Sequence, residues 1–280
     1  MDLRAQQERL VRTFRGAFRV RDVAEALLSF DAQTPAAAAL ERLERRGFVL
    51  TGVREGGLVS GYAATAELRT ARVCGDVLRA FEDDEMVDEG APLDEALRRL
   101  AGRERVFVTA FGQVGGIVTW TDVQKPPFRM WLFGLVTFLE AAFSGLIDAW
   151  YPDDSWMEFV SSGRLRKARE LLRERRRMAA GSDLRLLDCL QLSDKGLLLV
   201  RQAETRRLLN VPSKEAGERA LRRLGQLRNN LAHAQDIVSE DWEMILRLAE
   251  GLENIVNVGT AFIRPRRARP RKGQAAFRRE

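Results

Sequence analysis

Histidine and cysteine are both scarce in this sequence, whose 280 residues include one histidine, His233, and two cysteines, Cys74 and Cys189. The cysteines lie far apart, each within an apolar stretch. That pattern provides neither a disulfide framework nor the spacing of a metal site, so we predict no metal. Unpaired cysteines are typical of proteins from a reducing compartment, and we therefore expect a cytoplasmic protein.

Only one hydrophobic run is long enough to raise the question of a membrane. The first residues of the chain are charged and contain no apolar core, so we expect no secretory signal. Residues 129–150 have about the 20 residues that a membrane-spanning helix needs. Glu140 falls in the middle of this run, however, and a carboxylate at the bilayer centre costs roughly 2.5–3.5 kcal/mol. We therefore predict a buried helix of a soluble bundle and no membrane partner.

Positive charge is concentrated at the end of the chain, although the net charge is only +6. Residues 1–125 hold 18 basic and 20 acidic side chains, residues 126–260 hold 20 and 19, and residues 261–280 hold 8 and 1. The last segment is typical of a solvated, disordered tail. It would also attract nucleic acid in a salt-dependent way, so a protein that binds nucleic acid through this tail is one alternative function.

Two stretches of the N-terminal half, 31–68 and 88–123, share one order of features. Each opens with a polar turn and a proline, Pro35 or Pro92, near the first turn of a helix, where proline is tolerated. Each helix carries leucines at helical spacing and precedes two β-rich runs joined at a glycine turn. This duplication predicts two helix–strand–strand units within residues 20–125.

The second unit ends in the run GIVTWTD at residues 116–122. This run resembles the Gly-apolar-apolar-Thr/Ser-x-x-Asp signature of the cystathionine β-synthase (CBS) family, and residues 20–125 resemble a tandem CBS pair. The resemblance implies an adenine nucleotide as regulatory ligand, held by Thr119, Thr121 and Asp122. A carboxylate accepts ribose hydroxyls, and a threonine at a strand-to-helix junction helps to hold phosphate. The alternative is that Thr119 and Asp122 only cap a turn.

The first unit departs from this signature in the corresponding run, GYAATAE at residues 61–67. Ala64 stands at the position of the Thr or Ser, and Glu67 replaces the Asp. We therefore expect one of the two nucleotide clefts of the pair to be degenerate.

Pro126 and Pro127 follow the second unit directly and mark the boundary between two domains. We expect a long apolar helix from about Phe128 and no strand as far as Gly259. A linker this short would transmit movement from one domain to the other, which is a hypothesis about coupling. Polar breaks divide the C-terminal half into six predicted helices, at 128–149, 155–179, 183–191, 195–209, 214–234 and 239–258.

The predicted fold class is therefore α+β and multidomain. An N-terminal helix at 1–19 precedes the α/β CBS pair at 20–125, an all-α domain spans 128–260, and a basic tail occupies 261–280. The predicted helix 155–179 carries many arginines, and such a face is either solvated or follows an RNA backbone.

Helix 214–234 ends in the run RNNLAH, residues 228–233. Asn229 and His233 are four residues apart and share a helix face, whereas Arg228 is offset from His233 by about 140°. The run resembles the Arg-x4–6-His motif of the HEPN superfamily (higher eukaryotes and prokaryotes nucleotide-binding domains). The apolar helix bearing Glu140 adds to this resemblance. Glu140 needs a partner if it is buried, and Arg228 is one candidate.

The HEPN resemblance implies metal-independent cleavage of RNA in a homodimer, without a catalytic cofactor. His233 would act as general acid or base toward the ribose 2′-OH, Arg228 would stabilise charge on the phosphate, and Asn229 would orient the reacting groups. We therefore predict a nucleotide-regulated endoribonuclease whose partners are RNA, an adenine nucleotide and a second copy of the chain. The main alternative is a non-catalytic regulatory or scaffolding protein in which Arg228 and His233 hold helices together.

Overall fold

The structure, a computed structural model, describes residues 9, 12–14, 16–178, 184–239 and 242–251. Within the predicted N-terminal helix at 1–19, the described residues 9, 12–14, 16 and 17 are helical. The predicted basic tail at 261–280 lies outside the described residues, as does the end of the predicted helix 239–258.

The duplicated unit predicted in the N-terminal half is confirmed by the order of its elements. The first unit contains β1 (Glu25–Ala26), β2 (Ser29–Asp31), α1 (Ala36–Arg46), β3 (Leu50–Glu55), β4 (Leu58–Ala64) and the short α2 (Thr65–Leu68). The second contains β5 (Arg79–Ala80), β6 (Met86–Asp88), α3 (Leu93–Leu100), β7 (Arg105–Ala110), β8 (Gln113–Thr119) and a 3-10 helix (Trp120–Gln124). Pro35 and Pro92 each cap the helix that follows, as the sequence predicts.

The two units exchange their leading strands. One sheet has the order β2-β3-β4-β5 and the other has the order β1-β8-β7-β6. Each unit therefore supplies a parallel strand and an antiparallel hairpin to its own sheet, and one short strand to the other sheet. Because each sheet takes a strand from the other unit, neither unit completes its sheet alone. We call residues 20–125 the CBS-like pair.

Glycine leaves room where an exchanged strand pairs with the edge of the host sheet. A Cβ atom added to Gly61 would lie 2.2 Å from the carbonyl oxygen of Arg79 on β5. At the equivalent position of the second unit, a Cβ atom on Gly116 would lie 3.2 Å from the carbonyl oxygen of Glu25 on β1. These two glycines open the signature runs of the two units, so they let the exchanged backbones approach closely.

The C-terminal part is helical, and no strand occurs in the described residues after 125. Its helices are α4 (Pro126–Trp150), α5 (Ser162–Met178), α6 (Leu192–Arg201), α7 (Ala203–Leu208), α8 (Lys214–Ala232) and α9 (242–251). The predicted start at Phe128 is wrong by two residues. Pro126 and Pro127 occupy the first turn of α4, where the missing N–H groups have no intrahelical partner to lose.

Three other predicted helices also differ from the structure. The start of 155–179 and the middle of 183–191 form only 3-10 turns, at Ser155–Phe159 and Leu187–Cys189. The predicted helix 195–209 begins earlier and is divided into α6 and α7 at Gln202, whose extended backbone ends the first helix.

Helix α4 is the central helix of this part. By length and composition it is able to cross a membrane, yet 56% of its most apolar window is buried against the rest of the chain. Trp131, Leu132, Leu135 and Leu146 are each at most 1% exposed. The arrangement is that of a core helix, as the position of Glu140 in the sequence predicts.

One hydrophobic core joins the second unit to the helices. It runs from Val106 and Val118 of the second sheet through Phe128 of α4 to Leu227 of α8 and Ile245 of α9. The first unit instead packs its own cluster around Phe30, Leu43 and Val53. The second unit is therefore the part of the CBS-like pair that is continuous with the helical part.

Candidate functional site

The carboxylate of Asp122 organises the end of the second unit. Its Oδ2 accepts hydrogen bonds from the backbone N–H of Thr119 at 2.6 Å and from the Thr119 hydroxyl at 2.9 Å. Its Oδ1 pairs with Lys125 Nζ at 2.6 Å, and only 4% of the side chain is exposed. The turn-capping role that the sequence left open therefore exists, and the ribose-binding role of Asp122 stays a prediction.

Lys125 connects this turn to the leading segment of the first unit. Its ammonium group lies 3.0 Å from Glu25 Oε1 and donates to the carbonyl oxygen of Val23 at 2.7 Å. Burial lowers the pKa of Lys125, but its hydrogen bonds to Asp122 and Glu25 outweigh this effect and leave the pKa raised. The ammonium group therefore stays charged and holds the Asp122 turn against strand β1.

Two hydroxyl groups and one guanidinium group lie at this edge of the second sheet. The hydroxyls of Thr119 and Thr121 are 2.8 Å apart, and Thr121 is exposed. Arg105 is paired with Thr119 in the strand register, and directly opposed residues on antiparallel strands have Cβ atoms about 5 Å apart on one face. The Arg105 guanidinium lies 4.9 Å from the ring centre of Tyr62.

Arg105 is a site residue that was not predicted from the sequence. Its side chain is 23% exposed, its Nη1 lies 3.8 Å from Oε2 of the exposed Glu104, and its Nε is buried without a hydrogen-bond partner among the described residues. Counting back from the β7–β8 turn would pair Arg105 with Val118. A bulge between Val108 and Thr109 shifts the register by one residue and brings Arg105 opposite Thr119, which the sequence does not reveal. The Thr119 hydroxyl donates to Asp122 and accepts from Thr121, so the exposed Thr121 hydroxyl is the one that can turn toward a ligand. The edge therefore combines a cation with one such hydroxyl, which is chemistry suited to phosphate.

The equivalent edge of the first unit is apolar. Leu50 is paired with Ala64 at the positions that Arg105 and Thr119 hold in the second unit. Leu50 packs with Tyr62 and Phe107 between the two sheets. Glu67, which stands where the signature has Asp, forms an ion pair with Arg79. This difference fits the expectation from sequence that one cleft is degenerate.

The candidate catalytic run lies at the C-terminal end of α8. The helix ends at Ala232, so His233 is the capping residue after it. Arg228, Asn229 and His233 are all exposed, and their side chains form no hydrogen bond or ion pair with any other residue that the structure describes. Among the described residues they therefore join no helices by hydrogen bonds or ion pairs, which was the structural alternative for this motif.

Arg129 at the start of α4 holds the backbone of this run. Its Nη2 donates to the carbonyl oxygens of Asn230 at 2.6 Å and Leu231 at 3.3 Å, and its Nη1 donates to that of Gln235 at 2.8 Å. The last carbonyl groups of a helix lack intrahelical donors, and a cation there also interacts favourably with the negative end of the helix dipole. Burial lowers the pKa of Arg129, since the guanidinium is partly desolvated.

Glu140 has a different partner from the one suggested by sequence. Lys195 Nζ on α6 donates to Glu140 Oε1 at 2.8 Å, and the side chains of Lys195 and Glu140 are 5% and 32% exposed. Arg228 instead points to solvent. The ammonium group of Lys195 is nearly buried and needs a counter-charge, which explains the pairing. The structure therefore does not bring Glu140 together with Arg228.

Helix α5 presents a strongly basic surface. It contains eight basic and two acidic residues in 17 positions, and Ala168 is its only buried residue. Within the described part of the chain, Arg164 is the only one of these cations that pairs with a carboxylate, that of Asp194. The other seven cations therefore leave an uncompensated positive charge on an exposed helix.

No protein-family model matches this sequence, and no curated protein matches it. The solved structures that it matches include several CBS pairs. CBSX2 from Arabidopsis thaliana is 21% identical, with a TM-score of 0.34, over 38% of this chain and 91% of that one. A CBS domain protein of unknown function from Thermoplasma acidophilum is 19% identical, with a TM-score of 0.32, over 41% and 74% of the two chains.

A third similar structure contains two ligands. The CBS domain pair of protein MJ0100, in complex with 5′-methylthioadenosine and S-adenosyl-L-methionine, is 15% identical to this chain. It has a TM-score of 0.33 and covers 38% of this chain and 95% of that one. The likeness of the helical part to the HEPN superfamily stays a prediction from the RNNLAH run.

Proposed function

We propose that the CBS-like pair binds one adenine nucleotide at the edge formed by Arg105, Thr119 and Thr121, and that this ligand regulates the helical part. The observation that carries the proposal is the asymmetry between the two units. The second unit places a guanidinium and two hydroxyls at one edge, whereas the first places Leu50 and Ala64 at the corresponding paired positions. The adenine base is inferred from the resemblance of residues 116–122 to the CBS signature.

In this proposal, the phosphate is held by Arg105 and by the Thr121 hydroxyl, which exchanges its hydrogen bond to Thr119 for one to the phosphate, and Asp122 has two roles. Its Oδ2 fixes the turn that carries Thr119. Its Oδ1 accepts from Lys125 alone among the described residues, and a carboxylate oxygen has acceptor capacity for a second donor. A ribose hydroxyl is the donor that we assign to it.

The test is a calorimetric titration of the full chain with AMP and with adenosine, which lacks the phosphate. Arg105→Gln and Thr121→Val should each weaken AMP binding by about 10- to 100-fold, because a hydrogen bond to a charged group contributes about 1.5–3 kcal/mol. Both variants should leave adenosine binding nearly unchanged. Thr137→Val, which alters an exposed threonine on α4, is the matched control. Equal affinities for AMP and adenosine in the wild type would contradict the proposal.

A second candidate function is RNA cleavage at Arg228, Asn229 and His233. The observation that favours it is that these three side chains are exposed and form no hydrogen bond or ion pair among the described residues, at a backbone position held by Arg129. Such side chains are available to a substrate or to a second subunit. The basic surface of α5 supports RNA as the substrate, since it offers cations to a phosphate backbone.

The cleavage assay uses mixed RNA in EDTA, with and without AMP. His233→Ala should reduce cleavage at least about 100-fold, since a positioned acid or base contributes roughly 10²–10⁴ in rate. Its melting temperature should not change, because the imidazole is exposed and forms no hydrogen bond or ion pair among the described residues. Arg222→Ala, an exposed arginine on the same helix, is the control. Equal, negligible cleavage by the wild type and His233→Ala would refute the cleavage function and leave only the proposed nucleotide-dependent regulation.

A further inference from the structure

The two candidate sites are joined by the 3-10 helix Trp120–Gln124. Thr121 and Asp122 of this helix belong to the candidate nucleotide site, whereas Trp120 and Gln124 contact the helical part. The Trp120 and Trp242 ring centres lie 3.7 Å apart. The side-chain amide of Gln124 donates to the carboxylate of Asp236, three residues after His233. One short turn therefore contacts both sites.

Gln124 and Arg129 form the second connection. The Gln124 amide oxygen accepts a hydrogen bond from Arg129 Nη1 at 2.9 Å. The same Nη1 donates to the carbonyl oxygen of Gln235 at 2.8 Å, and Nη2 donates to that of Asn230 at 2.6 Å. Gln124 thus uses its amide N–H on Asp236 and its amide oxygen on Arg129. A shift of Gln124 would displace hydrogen bonds on both sides of His233.

The segment that follows His233 is anchored by Ile237, which is fully buried in the core. Asp236 accepts from the backbone N–H of Val238 at 2.9 Å and from the hydroxyl of Ser239, so it caps its own turn. Ala234 adopts a left-handed backbone with φ +54°, which is unfavourable for a residue with a side chain. The backbone on either side of His233 is therefore held by Arg129 directly and by Gln124 through the Asp236 carboxylate, with Ile237 as its anchor in the core.

We infer that Gln124 and Arg129 are positioning residues through which occupancy of the Thr119–Thr121 edge changes the alignment of His233. This inference rests on the proposed nucleotide site. A phosphate that takes the Thr121 hydroxyl from Thr119 would act on the turn held by Asp122, and the turn carries Gln124 at its end. The second unit and α8 share one close-packed core, and close-packed interiors transmit displacements because they have low compressibility.

His233 itself is the reporter for the test, because it is the only histidine in the chain. Full-length protein without a polyhistidine tag, labelled at the histidine ring, gives one imidazole signal in an NMR spectrum. AMP is titrated in while calorimetry follows its affinity. In the wild type the imidazole signal should move with AMP occupancy. In Gln124→Leu and Arg129→Gln, AMP should bind within about 2-fold of the wild type, and the signal should stay in place.

Gln113→Leu is the matched control, since it alters an exposed glutamine at the other end of β8. This variant should keep the wild-type response. If AMP binds the wild type and the His233 signal does not move, the inference is overturned although the nucleotide site stands. The same conclusion follows if the signal moves equally in Gln124→Leu, since the displacement would then take another route.

A second arm of the experiment needs no ligand. Asp122→Asn weakens the Thr119 and Lys125 contacts of the turn and should move the His233 signal in an otherwise wild-type chain. In the Gln124→Leu background the same substitution should have little effect, which is a double-mutant cycle. Equal shifts in both backgrounds would overturn the inference. A chain that fails to bind AMP would refute the proposed nucleotide site, and this arm would still decide the coupling.

Discussion

The ion pair between Glu140 and Lys195 makes the stability of the helical part sensitive to which partner is removed. The Lys195 side chain is 5% exposed, whereas 32% of the Glu140 side chain reaches solvent. Glu140→Leu leaves a nearly buried ammonium without a counter-charge, and breaking a buried pair in this way costs about 3–5 kcal/mol. Lys195→Met leaves a carboxylate that water can reach, so we expect a loss of only about 1 kcal/mol.

Replacing both residues removes both charges together. Because an apolar pair of similar size commonly matches a buried ion pair, we expect the double variant to lie within about 1 kcal/mol of the wild type. The free energies of unfolding are measured by urea denaturation with tryptophan fluorescence. Arg228→Ala should leave the stability unchanged. Simple addition of the Glu140 and Lys195 effects would refute the pairing, as would an Arg228→Ala variant that is destabilised as much as Glu140→Leu.

Three further predictions follow from the backbone and the surface charge. Gly61→Ala should lower the stability of the CBS-like pair by about 2–4 kcal/mol, because its Cβ would overlap a backbone carbonyl. Gly115→Ala, which meets nothing within 4 Å, should have little effect in the same thermal melt. Ala234→Gly should stabilise the chain by about 1 kcal/mol in denaturant titrations, by relieving a left-handed backbone. Replacing three α5 arginines with Gln should reduce the salt dependence of RNA binding, by about 0.7 in logarithmic slope per lost phosphate contact, whereas three exposed α1 arginines should not matter.

The duplication and the class of each domain were predictable from sequence because they depend on local signals. Proline at the start of α1 and α3, leucines at helical spacing and glycine turns between β-rich runs recur in the two units. Ala64 and Glu67 also distinguish the first unit from the second by residue type alone. Helix ends were less predictable, since Pro126 and Pro127 start a helix as readily as they interrupt one.

The site residues that were not predicted depend on partners that are distant in sequence. Lys195 pairs with Glu140 because two helices pack side by side, and no local pattern identifies that contact. Arg129 contacts carbonyl groups about 100 residues away, at the end of α8. Arg105 is nearer to Thr119, but its role depends on the strand register and on Tyr62 from the other unit. Exchange of β1 and β5 between the sheets likewise has no local signal.

The central claim is that the chain has one functional nucleotide edge, in its second unit, and stoichiometry tests it most directly. Calorimetric titration of the full chain with AMP should give one site per chain, and Arg105→Gln should weaken that site at least about 10-fold. Leu50→Ala in the first unit should leave both the number of sites and the affinity unchanged. Two equal sites per chain, or one site that is insensitive to Arg105→Gln, would contradict this claim.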